Sequence, residues 1–165
     1  MAALQAPLVD ALIAHGHLHD ARVAAALAAV PRHSFVPSEP VERAYSEEAI
    51  IIRRDGRGVA TRSSSQPGVV AVMLEQLDLG PGLRVLEIGA GAGYNAALLA
   101  WLVRPGGAVT TLDVQEDVAA ESEAHPSAAG CADVDARTAD GCTEVPSGAL
   151  VVAEREHHRI VVREV

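Results

Sequence analysis

Leu4, Leu8 and Leu12, with Ile13, recur at helical spacing and predict an amphipathic first helix that Gly16 ends. Asp20 stands where an N-cap would, ahead of a second helix over Ala21 to Ala29. Pro31 stops that helix, because proline disfavours helical backbone at the residue before it. Between the two helices His15, His17 and His19 alternate. An extended backbone would let them share a metal, yet no carboxylate or cysteine is clearly paired with them, so the reading is a solvated turn and no metal. In VPRHSFVP, Val30 to Pro37, two prolines bracket the only phenylalanine, which predicts a stiff packing corner with Phe35 buried. Ile50 to Ile52 predict a short strand and Asp55-Gly56 a hairpin turn, within a polar stretch from Ser38 to Ser64 of the kind that often forms binding loops. Val69, Val70, Met73, Leu74 and Leu77 share one face of a further helix, which Ser65 with Pro67 would start.

The pattern then changes period within a few residues. Gly80-Pro81-Gly82 turns the chain into a strand, Leu83 to Ile88, and VLEIGAGAGYNAALLA reads as strand, tight turn and helix, the helix running from near Tyr94 to about Val103. Gly89, Gly91 and Gly93 allow positive φ and close approach of a ligand to the backbone, and the helix start adds free N–H groups. Glu87 puts a negative charge where a dinucleotide pyrophosphate would sit, and position 94 is tyrosine where the dinucleotide fingerprint wants glycine. Both features favour a cationic, hydroxyl-rich ligand; a packing turn without ligand is the bland alternative. A second strand, Ala108 to Leu112, ends in Asp113, whose two oxygens match a ribose diol or, alternatively, cap a helix beginning near Gln115 and curtailed by Pro126. A third strand with Val134, Ala136 and Thr138 ends at Asp140-Gly141, where an acidic side chain suits an adenine amino group. Alternating strands and helices imply an α/β fold with a parallel sheet, whose strand ends gather Glu87, Asp113 and Asp140 on one edge. After a loop from Cys142 to Gly148, Leu150 to Val152 and Ile160 to Val162 are two β-like runs with a charged link that includes His157-His158, a solvated turn.

Composition narrows the classes. The 165 residues are one domain's worth. A formal charge of −9 disfavours nucleic acid and anionic membrane surfaces, which need a basic face. Cys131 and Cys142 make no disulfide framework, no run approaches a membrane span, and the first apolar residues lack a preceding positive charge, so a cytoplasmic location without a signal peptide is expected.

The order VPRHSFVP, AYSEEA, SSSQPGVVAVMLEQL, GLRVLEIGAGAGYNAALLA, GGAVTTLDV and ADG resembles the protein-L-isoaspartate O-methyltransferase family from roughly Leu8 to Gly141. The resemblance implies a Rossmann-like S-adenosylmethionine-dependent methyltransferase fold with an N-terminal helical extension and an abbreviated C-terminal part. It divides one domain into N-terminal helices and substrate-side loops (1–64), a cofactor-binding core (65–141) and a shortened C-terminal β segment (142–165). It implies methyl transfer from S-adenosylmethionine to an isoaspartyl or aspartyl carboxylate of a protein or peptide partner. Ser65 corresponds to the substrate-site serine, the catalytic candidate, with Arg62, Ser63 and Ser64 in the same loop. Glu87, Gly89, Gly91, Gly93, Asp113, Asp140 and Gly141 correspond to cofactor positions, and His33 reads as structural or solvent-facing. Some relatives act on ribosomally made peptides, and Ser63-Ser64 leans that way. The sequence departs from the family after Gly141, which leaves a compact enzyme and a catalytically impaired cofactor- or partner-binding relative as alternatives. Residues 149–165 are then either a terminal hairpin with an internal segment lost, the favoured reading, or a remnant in which HRIVV is the fourth strand.

Overall fold

The computed structural model describes residues 2–118, 134–141, 150–153 and 163–164. Helix α1 (Ala2–Ala14) turns Leu8 and Leu12 into the core, while Ile13 is 52% exposed and lies off the apolar face expected of it. Gly16, at φ 73°, ends α1. The His17 amide reaches back to the Leu12 carbonyl and the Gly16 amide to that of Ile13, the paired bonds of a left-handed helix stop. Helix α2 (Ala21–Ala29) starts at Asp20, whose carboxylate accepts from the amides of Arg22 and Val23. The three alternating histidines part company: His15 meets Glu47, His17 packs on Gly68, and His19 meets Glu75.

A 3-10 turn, Arg32–Phe35, and the short helix α3 (Val41–Ala44) lead into an antiparallel hairpin of β1 (Ile50–Arg54) and β2 (Ala60–Ser64). Its tip runs from Asp55 to Val59, with Gly58 rather than Gly56 taking positive φ and the Asp55 carboxylate accepting from Arg57 and Val59. Arg62, Ser63 and Ser64, expected in a loop, are therefore strand residues. Helix α4 (Pro67–Gln76) follows with Gln66 at its cap position and no side-chain cap bond, so Ser65 does not start the helix as expected.

The larger sheet has the order β5-β4-β3-β6-β7, from β3 (Arg84–Ile88), β4 (Ala108–Asp113), β5 (Val134–Thr138), β6 (Leu150–Ala153) and β7 (Arg163–Glu164). The first four neighbours pair in parallel and β7 antiparallel, and the sheet's first strand in chain order, β3, lies in the middle. Helix α5 (Tyr94–Leu102) joins β3 to β4 and is buried almost all round, as a sequence apolar but for Asn95 requires. The α2 helix and the sheet hold it from opposite sides. On β3 the side chains alternate, Val85 joining the main core with α5 and Leu86 a smaller cluster with Leu112.

The C-terminal expectations need correcting. Leu150–Ala153 fills the parallel position beside β3 expected for HRIVV, and it also pairs antiparallel, as a hairpin would, with Arg163–Glu164. The loop from Cys142 to Gly148, His157-His158, Ile160 to Val162 and the helix expected up to Pro126 lie outside the described residues beyond Val118.

One tertiary clasp makes a pH prediction. Glu75, in the last turn of α4, accepts from the backbone amides of His19 (2.5 Å) and Asp20 (2.7 Å) and so ties α4 to the α1–α2 turn. Partial burial raises its pKa, but these amides together with the His19 ring outweigh that and hold it below the usual carboxylate value. A depressed folded pKa gives stability that is complete above the unfolded value, about 4.3, and is lost as pH falls through the lower folded one. The Glu75→Gln chain is expected to lose stability less steeply with acid than the unsubstituted chain below about pH 4.3, measured by urea unfolding at stepped pH.

Candidate functional site

The strand-to-helix turn after β3 is built as its glycines demand. Gly89, Gly91 and Gly93 have φ of 97°, 53° and 81°, all in the left-handed region that side chains resist. The Gly89 amide donates to the Leu112 carbonyl and Gly93's to Ala90, so the turn is fixed to β4 and to itself. Across from it lies the end of β2, close enough that a Cβ on Gly91 would stand 3.6 Å from the Ser63 carbonyl oxygen. Arg62 reaches over from β2 and donates through Nε (2.8 Å) and Nη2 to the Gly91 carbonyl. The hairpin is fastened a second time where Arg53 meets Asp117 at 2.5 Å beyond β4.

The resulting crevice is lined by Ser63, Ser64, Ser65, Glu87, Gly89, Ala90, Gly91, Ala92, Tyr94 and Asn95, with Val70 at its back. Two of its residues form an interior polar network. Glu87, 3% exposed, accepts from Asn95 Nδ2 at 2.8 Å and from the Thr111 hydroxyl at 2.5 Å. Its carboxyl group is thus held inside the sheet edge by donors from α5 and β4, and lines the crevice beside Asn95. Asn95 Oδ1 is buried and has no hydrogen-bond partner among the described residues, an acceptor waiting for a donor at this wall.

The other expected residues gather at the same sheet edge but outside that lining. Asp113 ends β4; its Oδ1 accepts from the Gln115 amide at 3.1 Å, so the capping alternative describes one of its contacts, and its carbonyl accepts from Ala139. Asp140 is exposed, and Gly141 is buried against Ile88, where a Cβ would come within 2.7 Å. A glycine is required there because the β5 loop crosses directly over the end of β3. Gly93 caps α5 behind the lining, and His33 is half-buried with Nδ1 2.8 Å from the Tyr45 hydroxyl.

Two residues at the site escape sequence reasoning. Asn95 is one; it follows the glycine motif by two positions and looks like an ordinary first-turn residue. Arg32 is the other. It is fully buried beneath the crevice and donates to the carbonyls of Ala44 (3.0 Å), Ser46 (3.2 Å), Glu48 (3.4 Å) and Ser65 (2.9 Å). Its guanidinium carbon also lies 5.8 Å from the centroid of the Tyr94 ring, which Phe35 meets on a tilt at 5.4 Å. Burial lowers the Arg32 pKa, with Tyr94 and Tyr45 acting the other way, and pushes the Tyr94 phenol up, so that phenol stays neutral. The only available signal was a cation set between two prolines in an otherwise apolar corner.

The family model for protein-L-isoaspartate(D-aspartate) O-methyltransferase matches residues 3–150. Among relatives, the protein-L-isoaspartate O-methyltransferase of Methanopyrus kandleri is 46% identical over 106 residues, covering 64% of this chain and 44% of that one. That of Roseiflexus castenholzii is 41% identical over 139 residues, 84% of this chain and 59% of its own length. The chain thus spans about half the length of the curated relatives it matches. Among solved structures, a protein-L-isoaspartate O-methyltransferase superposes with a TM-score of 0.75 at 24% identity, covering 90% of this chain and 54% of that one. A structure described as a beta-aspartate methyltransferase from Plasmodium falciparum, in complex with S-adenosyl-L-homocysteine, gives 0.66 at 16% identity, covering 96% and 87%. At these identities the structures establish the fold, which is the Rossmann-like methyltransferase fold. With the matched residues running through the 3-10 corner, the hairpin, the glycine turn and β4, the chain belongs to the protein-L-isoaspartate O-methyltransferase family.

Proposed function

We propose that this chain transfers a methyl group from S-adenosylmethionine to the carboxylate of an isoaspartyl or D-aspartyl residue in a protein or peptide. The observation that carries the reading is that Ser63–Ser65 and the glycine turn with Glu87 and Asn95 line one crevice, so a substrate segment and a cofactor turn face each other. The orphaned Asn95 Oδ1, the close-approach glycines and the carboxylates of Asp113 and Asp140 on one sheet edge suit an ammonium, a ribose and an adenine amino group. In this reading Asn95 with Glu87 holds the amino-acid end of the cofactor, Asp113 the ribose, and Asp140 with Gly141 the base.

When bound, S-adenosylmethionine supplies a methyl group already activated on a sulfonium. A substrate carboxylate is ionised at neutral pH and needs no general base, so the chain's part is alignment and exclusion of water. The Ser65 hydroxyl donates to the substrate carboxylate and fixes its direction without protonating it. The Arg62 strap closes one side of the crevice. The substrate and a cytoplasmic location belong to this reading; no helix among the described residues is long and apolar enough to cross a membrane.

Calorimetric titration with S-adenosylhomocysteine, followed by transfer from methyl-labelled S-adenosylmethionine to an isoaspartyl peptide, tests the proposal. Binding with transfer supports it; binding without transfer points to an impaired relative, and preference for NAD overturns it. Replacing Ser65 by alanine is expected to lower kcat by roughly 10- to 150-fold, the worth of one hydrogen bond to a charged group, with the S-adenosylhomocysteine Kd changed less than about twofold.

A further inference from the structure

We propose that Arg32 is a positioning residue for Ser65: one buried guanidinium holds the Ser65 carbonyl, the loop after α3 and the ring that opens the cofactor helix in a single fixed relation. The inference rests on the methyl-transfer reading of the crevice and adds a residue that touches neither reactant.

The acceptors explain why arginine stands there. Three carbonyls come from one loop, at Ala44, Ser46 and Glu48, and the fourth from Ser65, which lies 33 residues along the chain from Arg32. A planar fork spreads its donors widely enough to take acceptors from both segments at once, which the compact ammonium of lysine cannot do. Among the described residues no carboxylate pairs with Arg32; carbonyl dipoles and the neighbouring Tyr94 and Tyr45 surround its charge, and its Nε is left without a partner. A packing corner has no need of such an arrangement, because apolar residues of similar volume fill a core at least as well as a buried ion.

Ser65 and Tyr94 both line the crevice. A side chain that grips the backbone of the first and lies beside the ring of the second fixes the distance between them. The Ser65 peptide group is held at its oxygen, which fixes the Cα from which the hydroxyl-bearing side chain departs. Gln66, the next residue, makes no side-chain cap bond at the start of α4.

The test combines hydrogen exchange with kinetics on Arg32→Lys, which keeps the charge and loses the fork. The expected result is exchange accelerated roughly 10- to 100-fold at residues 64–68, with the amides of β3 and α5 unchanged. In the same variant KM for an isoaspartyl peptide rises and kcat falls about tenfold, while the S-adenosylhomocysteine Kd stays within about twofold. Unchanged exchange at 64–68, or equal acceleration across the whole sheet, overturns the assignment. A second measurement needs no variant: in the unsubstituted chain with labelled arginine, the Arg32 Nη signals are expected as separate, slowly rotating resonances, and a single averaged signal overturns it. If the unsubstituted chain transfers no methyl group, the methyl-transfer reading fails, and the exchange and resonance results still decide whether Arg32 holds Ser65.

Discussion

Replacing Gly107 by alanine is expected to destabilise the fold by about 3 kcal/mol, at the upper end of overpacking costs. A Cβ at this position would stand 2.5 Å from both the carbonyl oxygen and the Cβ of Val103. Val103 is fully buried and has nowhere to turn. Its carbonyl is also a junction, accepting from the amides of Gly107 (3.2 Å) and Gly82 (2.9 Å), the turns that feed β4 and β3. Any backbone shift that relieves the clash therefore pulls on the entry to both central strands. Gly56 is the control, since it has open space around a Cβ and no positive φ; Gly56→Ala is expected to change stability by less than about 0.5 kcal/mol. Urea unfolding of the two variants checks the pair, and equal midpoints would show that the α5–β4 turn yields where these contacts say it is rigid.

Glu87→Ala is expected to cost about 3 kcal/mol and to weaken S-adenosylhomocysteine binding at least about tenfold. The carboxylate is the acceptor for Asn95 Nδ2 and for the Thr111 hydroxyl in a site 3% exposed. Truncation strands two donors, each worth about 1–3 kcal/mol when left buried without a partner. It also frees the Asn95 amide, whose buried oxygen, unpartnered among the described residues, is the acceptor proposed for a ligand. Glu87→Gln separates geometry from charge. Its carbonyl accepts from Asn95, and the Thr111 hydroxyl rotates to accept from the new amide, so stability falls by only about 1 kcal/mol and affinity by about threefold. Chemical unfolding and calorimetry read both effects. Alanine and glutamine variants with equal affinity would show that the network does not shape the ligand wall.

Much of the site was legible because the signals were local. Three alternate glycines announce a turn that only positive φ can make, Asp20 announces a cap, and the strand ends at Ile88 and Asp113 follow from short apolar runs. What stayed hidden depends on distant partners. Arg32 acquires its meaning from carbonyls up to 33 residues away, and Asn95 from a glutamate that the sheet edge turns inward. Arg62 to Ser64 read as loop because polar alternation is faint in a strand whose partner is itself rich in charge. The placement of Leu150–Ala153 beside β3 is likewise a matter of pairing: four apolar residues carry no instruction about which strand they join.

The Arg62 strap has an electronic consequence for the turn it crosses. The Gly91 carbonyl oxygen receives two guanidinium donors, and a peptide unit polarised at its oxygen is polarised at its nitrogen too. The amide across that plane belongs to Ala92, a crevice residue, and it carries more positive partial charge than a bare glycine loop would give it. A residue of the hairpin thereby sets the polarity of a loop whose own sequence contains no basic group.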